Sequence, residues 1–159
     1  MNDTTHRIVD IRLDERSVVR RNPDVEHERA VAIFDLLEDN FFQPIGDYSG
    51  PYKVRLGIEE NRLIFGIDAN DDTPLTKIAL PLASFRSLVR DYFTICESYF
   101  AAIKKSSPSQ IEAIDMGRRS IHNDGAEQLR ERLAGSIALD LNTARRLFTL
   151  ICVLHIRGT

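Results

Sequence analysis

The ten-residue stretch Leu147-Phe148-Thr149-Leu150-Ile151-Cys152-Val153-Leu154-His155-Ile156 leaves a folding chain few options, because only Thr149 and His155 interrupt its apolar character. Apolar residues on every side of a helix demand cover on every side. A bilayer cannot be that cover, since a spanning helix needs about 20 such residues. The stretch therefore predicts a buried helix, capped by Asn142, at the centre of the fold, and the rest of the chain must supply the layers around it.

One layer is legible as strands. Tyr52, Val54, Leu56 and Ile58 alternate with Lys53, Arg55 and Glu59, and Leu63, Phe65 and Ile67 continue the phase after Glu60-Asn61, where Asn tolerates positive φ. After the Asn70-Asp71-Asp72-Thr73-Pro74 turn, Thr76, Ile78 and Leu80 complete a three-stranded antiparallel meander from Tyr52 to Pro81. Its outer face is polar, so helices should cover the other. Val9, Ile11 and Leu13 predict one further N-terminal strand.

The other segments read as helices and loops. Asn22 and Pro23 mark a cap and first turn for a helix to Asn40, with Asp24 and Glu26 at its positive end and a stripe of Ala30, Phe34, Leu37 and Phe41. Gln43 to Pro51 reads as a surface loop. Behind Ser84 as cap, Phe85, Leu88, Val89, Tyr92, Ile95, Cys96, Tyr99 and Ile103 form a second stripe. Ser107-Pro108-Ser109-Gln110 has capping-box spacing with Pro at the first helical position. Asn123-Asp124-Gly125 should end or kink that helix, leaving Leu129 and Leu133 on a short helix that stops at Gly135, and Ile137, Leu139 and Leu141 suggest one more strand. The expected class is α+β: a small antiparallel sheet, the meander, packed against a helical C-terminal half, with residues 1–159 forming a single globular domain.

Composition narrows the function. A net charge of -3 and a pI near 5.8 argue against general nucleic-acid binding, and the Arg-rich region from Pro108 to Ala134 carries more acids than arginines. The N-terminus lacks a basic segment followed by an apolar one, so no membrane association is expected and a soluble cytoplasmic protein is. Cys96 and Cys152 lie within apolar helical patterns, as core thiols do. No phosphate-binding glycine loop, dinucleotide fingerprint or nucleophile elbow is present, and the four histidines show no metal-ligand spacing, so neither a cofactor nor a metal is expected.

The strings Asn22-Pro23-Asp24-Val25-Glu26-His27-Glu28-Arg29-Ala30, Asp91-Tyr92-Phe93 leading to Tyr99, Ser109 to Arg119, and Thr143-Ala144-Arg145-Arg146-Leu147-Phe148 together resemble a small uncharacterised protein family of alphaproteobacteria. The resemblance spans almost the whole chain. It implies a bacterial, cytoplasmic, single-domain protein and transfers no reaction, ligand or catalytic residue.

Site candidates must therefore come from chemistry. Asp115, Arg118, Arg119 and His122 recur at helical spacing and share one arc, with Asn123 at its end, opposite Ala113, Ile114, Met116, Gly117, Ser120 and Ile121. A solvated helix face explains the pattern; so does a ligand or partner face, because two guanidiniums, an imidazole and a carboxylate suit anion binding or proton transfer. Arg145 and Arg146 stand in the first turn of the last helix, where the macrodipole disfavours cations. Either an internal acid such as Asp140 or one from another helix offsets them, or they hold an anion. Three further groupings are set aside. Asp68, Asn70 and Asp72 begin a calcium-loop spacing, but Thr73 and Ala79 stand where Gly and Glu are required. Cys152 and His155 are three apart, but an apolar setting raises a thiol pKa. His27, on the line of Ala30 and Phe34, reads as structural.

The leading expectation is a non-enzymatic regulatory or protein-interaction domain. The alternative is an enzyme or sensor that binds a small phosphate- or carboxylate-bearing ligand through Arg118, Arg119, Arg145 or Arg146, with His122 and Asp115 for proton transfer. A concave pocket shared by Arg118, His122 and Arg145 would favour the second; a convex spread would favour the first.

Overall fold

The computed structural model describes residues 5–14 and 23–155. Asn22 and Ile156 lie outside that range, as do the side chains of Asp24, Ser84 and His155. The chain runs β1 (Ile8–Leu13), α1 (Pro23–Glu38), β2 (Phe42–Pro44), β3 (Tyr52–Glu59), β4 (Arg62–Ala69), β5 (Pro74–Pro81), α2 (Arg86–Lys105), α3 (Pro108–Leu133), β6 (Ile137–Leu139) and α4 (Leu141–His155).

The meander forms as its alternation dictates. β3 and β4 pair antiparallel from Tyr52 opposite Ala69 to Glu59 opposite Arg62. Glu60 (φ 51°) and Asn61 (φ 60°) make the two-residue turn whose left-handed backbone matches strand twist. β5 continues the sheet, and the Asp71 carboxylate accepts the Thr73 N–H to tighten the second turn. β1 joins on the far side, parallel to β3, and α1 belongs to the crossover a parallel neighbour requires. A bulge at Val9 breaks the simple alternation: Ile8 and Ile11 point into the core while Val9 turns outward.

The four α-helices of the described residues contribute to the core on one side of this sheet, and α4 lies at the centre. It packs against α1, α2, α3 and β3, and every described side chain from Leu147 to Leu154 is buried. Asp140 caps it, its carboxylate accepting the Thr143 N–H at 2.9 Å, in place of the expected Asn142. Asn142 instead receives the Arg145 guanidinium at 3.1 Å.

Several other features depart from the sequence reading. Part of the expected loop after α1 is β2, which pairs with β6 from Phe42 opposite Leu139 to Pro44 opposite Ile137; Leu141 already belongs to α4. In α1 the buried residues are Ala32 and Leu36, while Phe34 is 65% exposed. The run Ala30-Val31-Ala32-Ile33-Phe34 offers apolar atoms on several sides, so only the neighbours β1 and α4 choose the face. α2 follows a tight 3₁₀ turn, Leu82–Phe85, and starts behind Phe85 instead of Ser84, because Leu82 and Phe85 are both anchored in the core. At its other end Ala102 is buried and Ile103 exposed.

α3 keeps its predicted capping box, the Ser107 hydroxyl accepting from Gln110 N–H while the Gln110 amide accepts from Ser107 N–H. It does not break at Asn123-Asp124-Gly125. Gly125 is buried where a Cβ would overlap the Phe148 ring, so a glycine that weakens the isolated helix lets α4 approach closely.

Candidate functional site

Only part of the polar arc of α3 faces open solvent, where Arg119 is 73% exposed. Arg118 and His122 turn toward the other helices and, with Arg119, line a cavity of about 240 Å³. α1 contributes Glu28, Val31, Ala32 and Asp35 to its wall, α2 contributes Tyr92, and α4 contributes Arg146 and Thr149. The residues expected to pack opposite this arc are only partly covered, Met116 being 63% exposed. Periodicity defined the two faces of α3; it had no means of telling which faced the bundle.

Arg118 is the most constrained cation. Its Nη2 donates to Asp115 Oδ1 at 2.7 Å, its Nη1 lies 3.5 Å from Glu28 Oε1, and its guanidinium sits 4.7 Å over the Tyr99 ring. Arg119 shares Asp115 from the solvent side, 2.8 Å from Oδ2. The hydrogen bond from Arg118, aided by both arginine charges, lowers the Asp115 pKa and keeps it ionised. No hydrogen bond joins Asp115 to His122 among the described residues. The geometry gives Asp115 the job of holding arginines.

His122 belongs instead to α4 and the aromatic wall. Its Nε2 lies 2.7 Å from Thr149 Oγ1, and its ring packs 5.4 Å from Tyr92 and 5.8 Å from Phe148. Burial pushes its pKa down to about 4; the charges of Arg145, Arg118 and Arg146 push the same way, against a hydrogen bond with the Arg145 backbone. The imidazole is neutral at pH 7.

Consecutive arginines diverge. Arg145 points away from the cavity and donates from Nε to Asn123 Oδ1 at 2.8 Å and from Nη1 to Asn142 Oδ1 at 3.1 Å. Arg146 points into it. Its Nε lies 3.8 Å from Asp35 Oδ2, beyond hydrogen-bond reach, and is enclosed with no acceptor. The cavity therefore gathers Arg118, Arg119, His122 and Arg146 but neither Arg145 nor Asn123. Sequence reasoning missed Glu28 and Asp35, whose seven-residue spacing puts them on one face of α1, along with Tyr92 and Thr149, the single hydroxyl in the apolar run before His155.

In two other depressions the arginines are held by partners within the fold. On the sheet's outer face, about 290 Å³ opens over Gly57 and Gly66, where Arg55 is held bidentate by Asp68 at 3.2 and 3.1 Å. Beside β6, Arg130 Nε donates to the Leu139 carbonyl and Asp140 is occupied as the cap of α4. The thiols are chemically quiet: burial raises Cys96 to about 11 and Cys152 well above the usual range. Among the described residues no cluster of three His, Cys, Asp or Glu side chains could hold a metal, and no helix is long and apolar enough to cross a membrane.

No solved structure matches the chain. Its sequence is 63% identical over 152 residues to a UPF0262 protein of Paramagnetospirillum magneticum, covering 96% of this chain and 97% of the relative. It is 60% identical over 158 residues to a UPF0262 protein of Rhodospirillum rubrum, covering 99% and 97%, and 54% identical over 158 residues to one of Mesorhizobium japonicum, covering 99% and 98%. Residues 5–157 match the family described as "Uncharacterised protein family (UPF0262)", and the chain belongs to that family.

Proposed function

We propose that residues 1–159 act as one cytoplasmic, non-enzymatic domain that senses a small anionic ligand in the cavity between α1, α3 and α4. One observation carries this reading: Arg146, whose covered Nε has no hydrogen-bond acceptor and only Asp35 at 3.8 Å as counter-charge, lines a cavity that Arg118 and Arg119 also line. A buried guanidinium donor calls for an acceptor, and an acid reaching it gains charge-assisted hydrogen bonds. At about 240 Å³ the space falls below the roughly 300–1,000 Å³ of drug-sized sites, which suits a group the size of a simple carboxylate or phosphate. Sensing is favoured over catalysis because His122 is neutral and apart from Asp115, and the thiols are buried. The test is calorimetric titration of acetate and inorganic phosphate at constant ionic strength, with a matching rise in melting temperature. Binding that is lost in Arg146→Ala and kept in Arg12→Ala supports the proposal; no binding by either anion, or equal binding in both variants, refutes it.

A protein partner is the second reading. Its support is Phe34, 65% exposed, with Val31, 41% exposed, on the α1 face beside the cavity. A bound acid would draw Glu28 and Asp35 away from their arginines, coupling cavity to face through one helix.

A further inference from the structure

The charges around the cavity narrow the kind of acid it takes, resting on the anion-binding reading above. Its wall carries three guanidiniums, Arg118, Arg119 and Arg146, and two carboxylates, Glu28 and Asp35. Asp115, held at 2.7 Å by Arg118 and at 2.8 Å by Arg119, is a third carboxylate and evens the count. His122 adds no charge at pH 7. A bare anion would therefore leave the site with negative charge in excess, and it would lie beside Glu28 and Asp35.

The opposite charges are also incompletely joined. Glu28 Oε1 stands 3.5 Å from Arg118 Nη1 and Asp35 Oδ2 stands 3.8 Å from Arg146 Nε, against the roughly 2.7–2.9 Å of a charge-assisted hydrogen bond. Arg146 and Asp35 thus form a dipole along the wall, and the covered Arg146 Nε has no hydrogen-bond acceptor. A molecule that carries both charges can lie antiparallel to that dipole, its negative end on the guanidinium and its positive end on the carboxylate, so that neither charge meets its like. In an α-amino acid the ammonium nitrogen and the carboxylate carbon are two bonds of about 1.5 Å apart, short enough to sit alongside this pair. We infer that the site takes a small α-amino acid, its carboxylate on Arg146 and its ammonium on Asp35. Val31 and Ala32 in the same wall suit a short aliphatic side chain. A phosphate dianion brings two negative charges and nothing for Asp35.

Calorimetry with the full chain at pH 7 and constant ionic strength compares alanine with propionate, which lacks only the ammonium, with lactate, which puts a neutral hydroxyl in its place, and with inorganic phosphate. Alanine should bind about tenfold more tightly than propionate or lactate. Asp35→Asn, which keeps the shape of the side chain and removes its charge, should abolish that preference without weakening propionate. The comparison among the four ligands on the wild-type protein stands without any variant, so a variant that misfolds leaves the inference testable. Equal affinity for alanine and propionate, binding of lactate or phosphate as tight as that of alanine, or a preference for alanine that survives in folded Asp35→Asn each overturns the amino-acid inference while the anion site stands. If none of the four binds, both fail.

Discussion

Identical neighbours in the chain do different work once the helix is placed. Arg145 and Arg146 are separated by about 100° around α4, enough to send one guanidinium to the amides of Asn123 and Asn142 and the other into the cavity. His122 shows the same dependence on placement. A solvated imidazole titrates near 6.5, but in the fold it is enclosed by Tyr92, Phe148 and Thr149, with Arg118, Arg145 and Arg146 nearby, and holds a proton only below about 4. Between these values the unfolded chain binds a proton that the folded chain refuses, so stability falls as the pH drops from about 6.5 toward 4. The loss should reach on the order of 2–3 kcal/mol at the acid end. Denaturant midpoints of wild type and His122→Gln across this range check it: the gap between them should narrow as the pH falls. A gap independent of pH would show that His122 is not held neutral by the fold.

At the scale of elements, α3 carries most of what was misread. Its sequence has a polar arc and a neutral arc, and the ordinary expectation puts charge outward. Here the polar arc meets a bundle that supplies Glu28, Tyr99 and Thr149 as partners, so Arg118 and His122 are satisfied facing inward. The same helix runs through Gly125, which reads as a breaker because glycine costs about 1 kcal/mol in a helix interior. Its missing side chain is the reason α4 can lie so close. Gly125→Ala should therefore destabilise the protein by about 1–3 kcal/mol despite improved helix propensity, because the added methyl overlaps a Phe148 ring boxed in by Tyr92 and His122. Gly135→Ala, where a Cβ meets nothing within 4 Å, is the control and should be close to neutral. Urea unfolding of both variants measures the contrast. A stabilised Gly125→Ala would mean that Phe148 can move aside.

At the scale of the whole molecule, α4 is the part on which the other layers depend. Ile151 is fully buried within it, and Ile151→Asp should abolish soluble folding. An unpaired carboxylate there costs several kcal/mol against a total stability of about 5–15 kcal/mol. A soluble variant with wild-type circular dichroism and melting temperature would remove α4 from the centre of the fold. What the sequence determined by itself is local or compositional: the meander and its Glu60-Asn61 turn, the capping box at Ser107, the burial of Leu147 to Leu154 and the inert cysteines. Each depends on side-chain alternation, a cap within one turn, or an apolar run that has no alternative to burial. The tertiary structure decided the remainder: that β1 pairs parallel to β3, that Phe42–Pro44 finds Ile137–Leu139, that Phe34 faces outward, and that Glu28, Asp35, Tyr92 and Thr149 join Arg118, His122 and Arg146 around one cavity. Those outcomes join residues far apart in the chain, and periodicity within one element defines its faces but not the neighbour each face will meet.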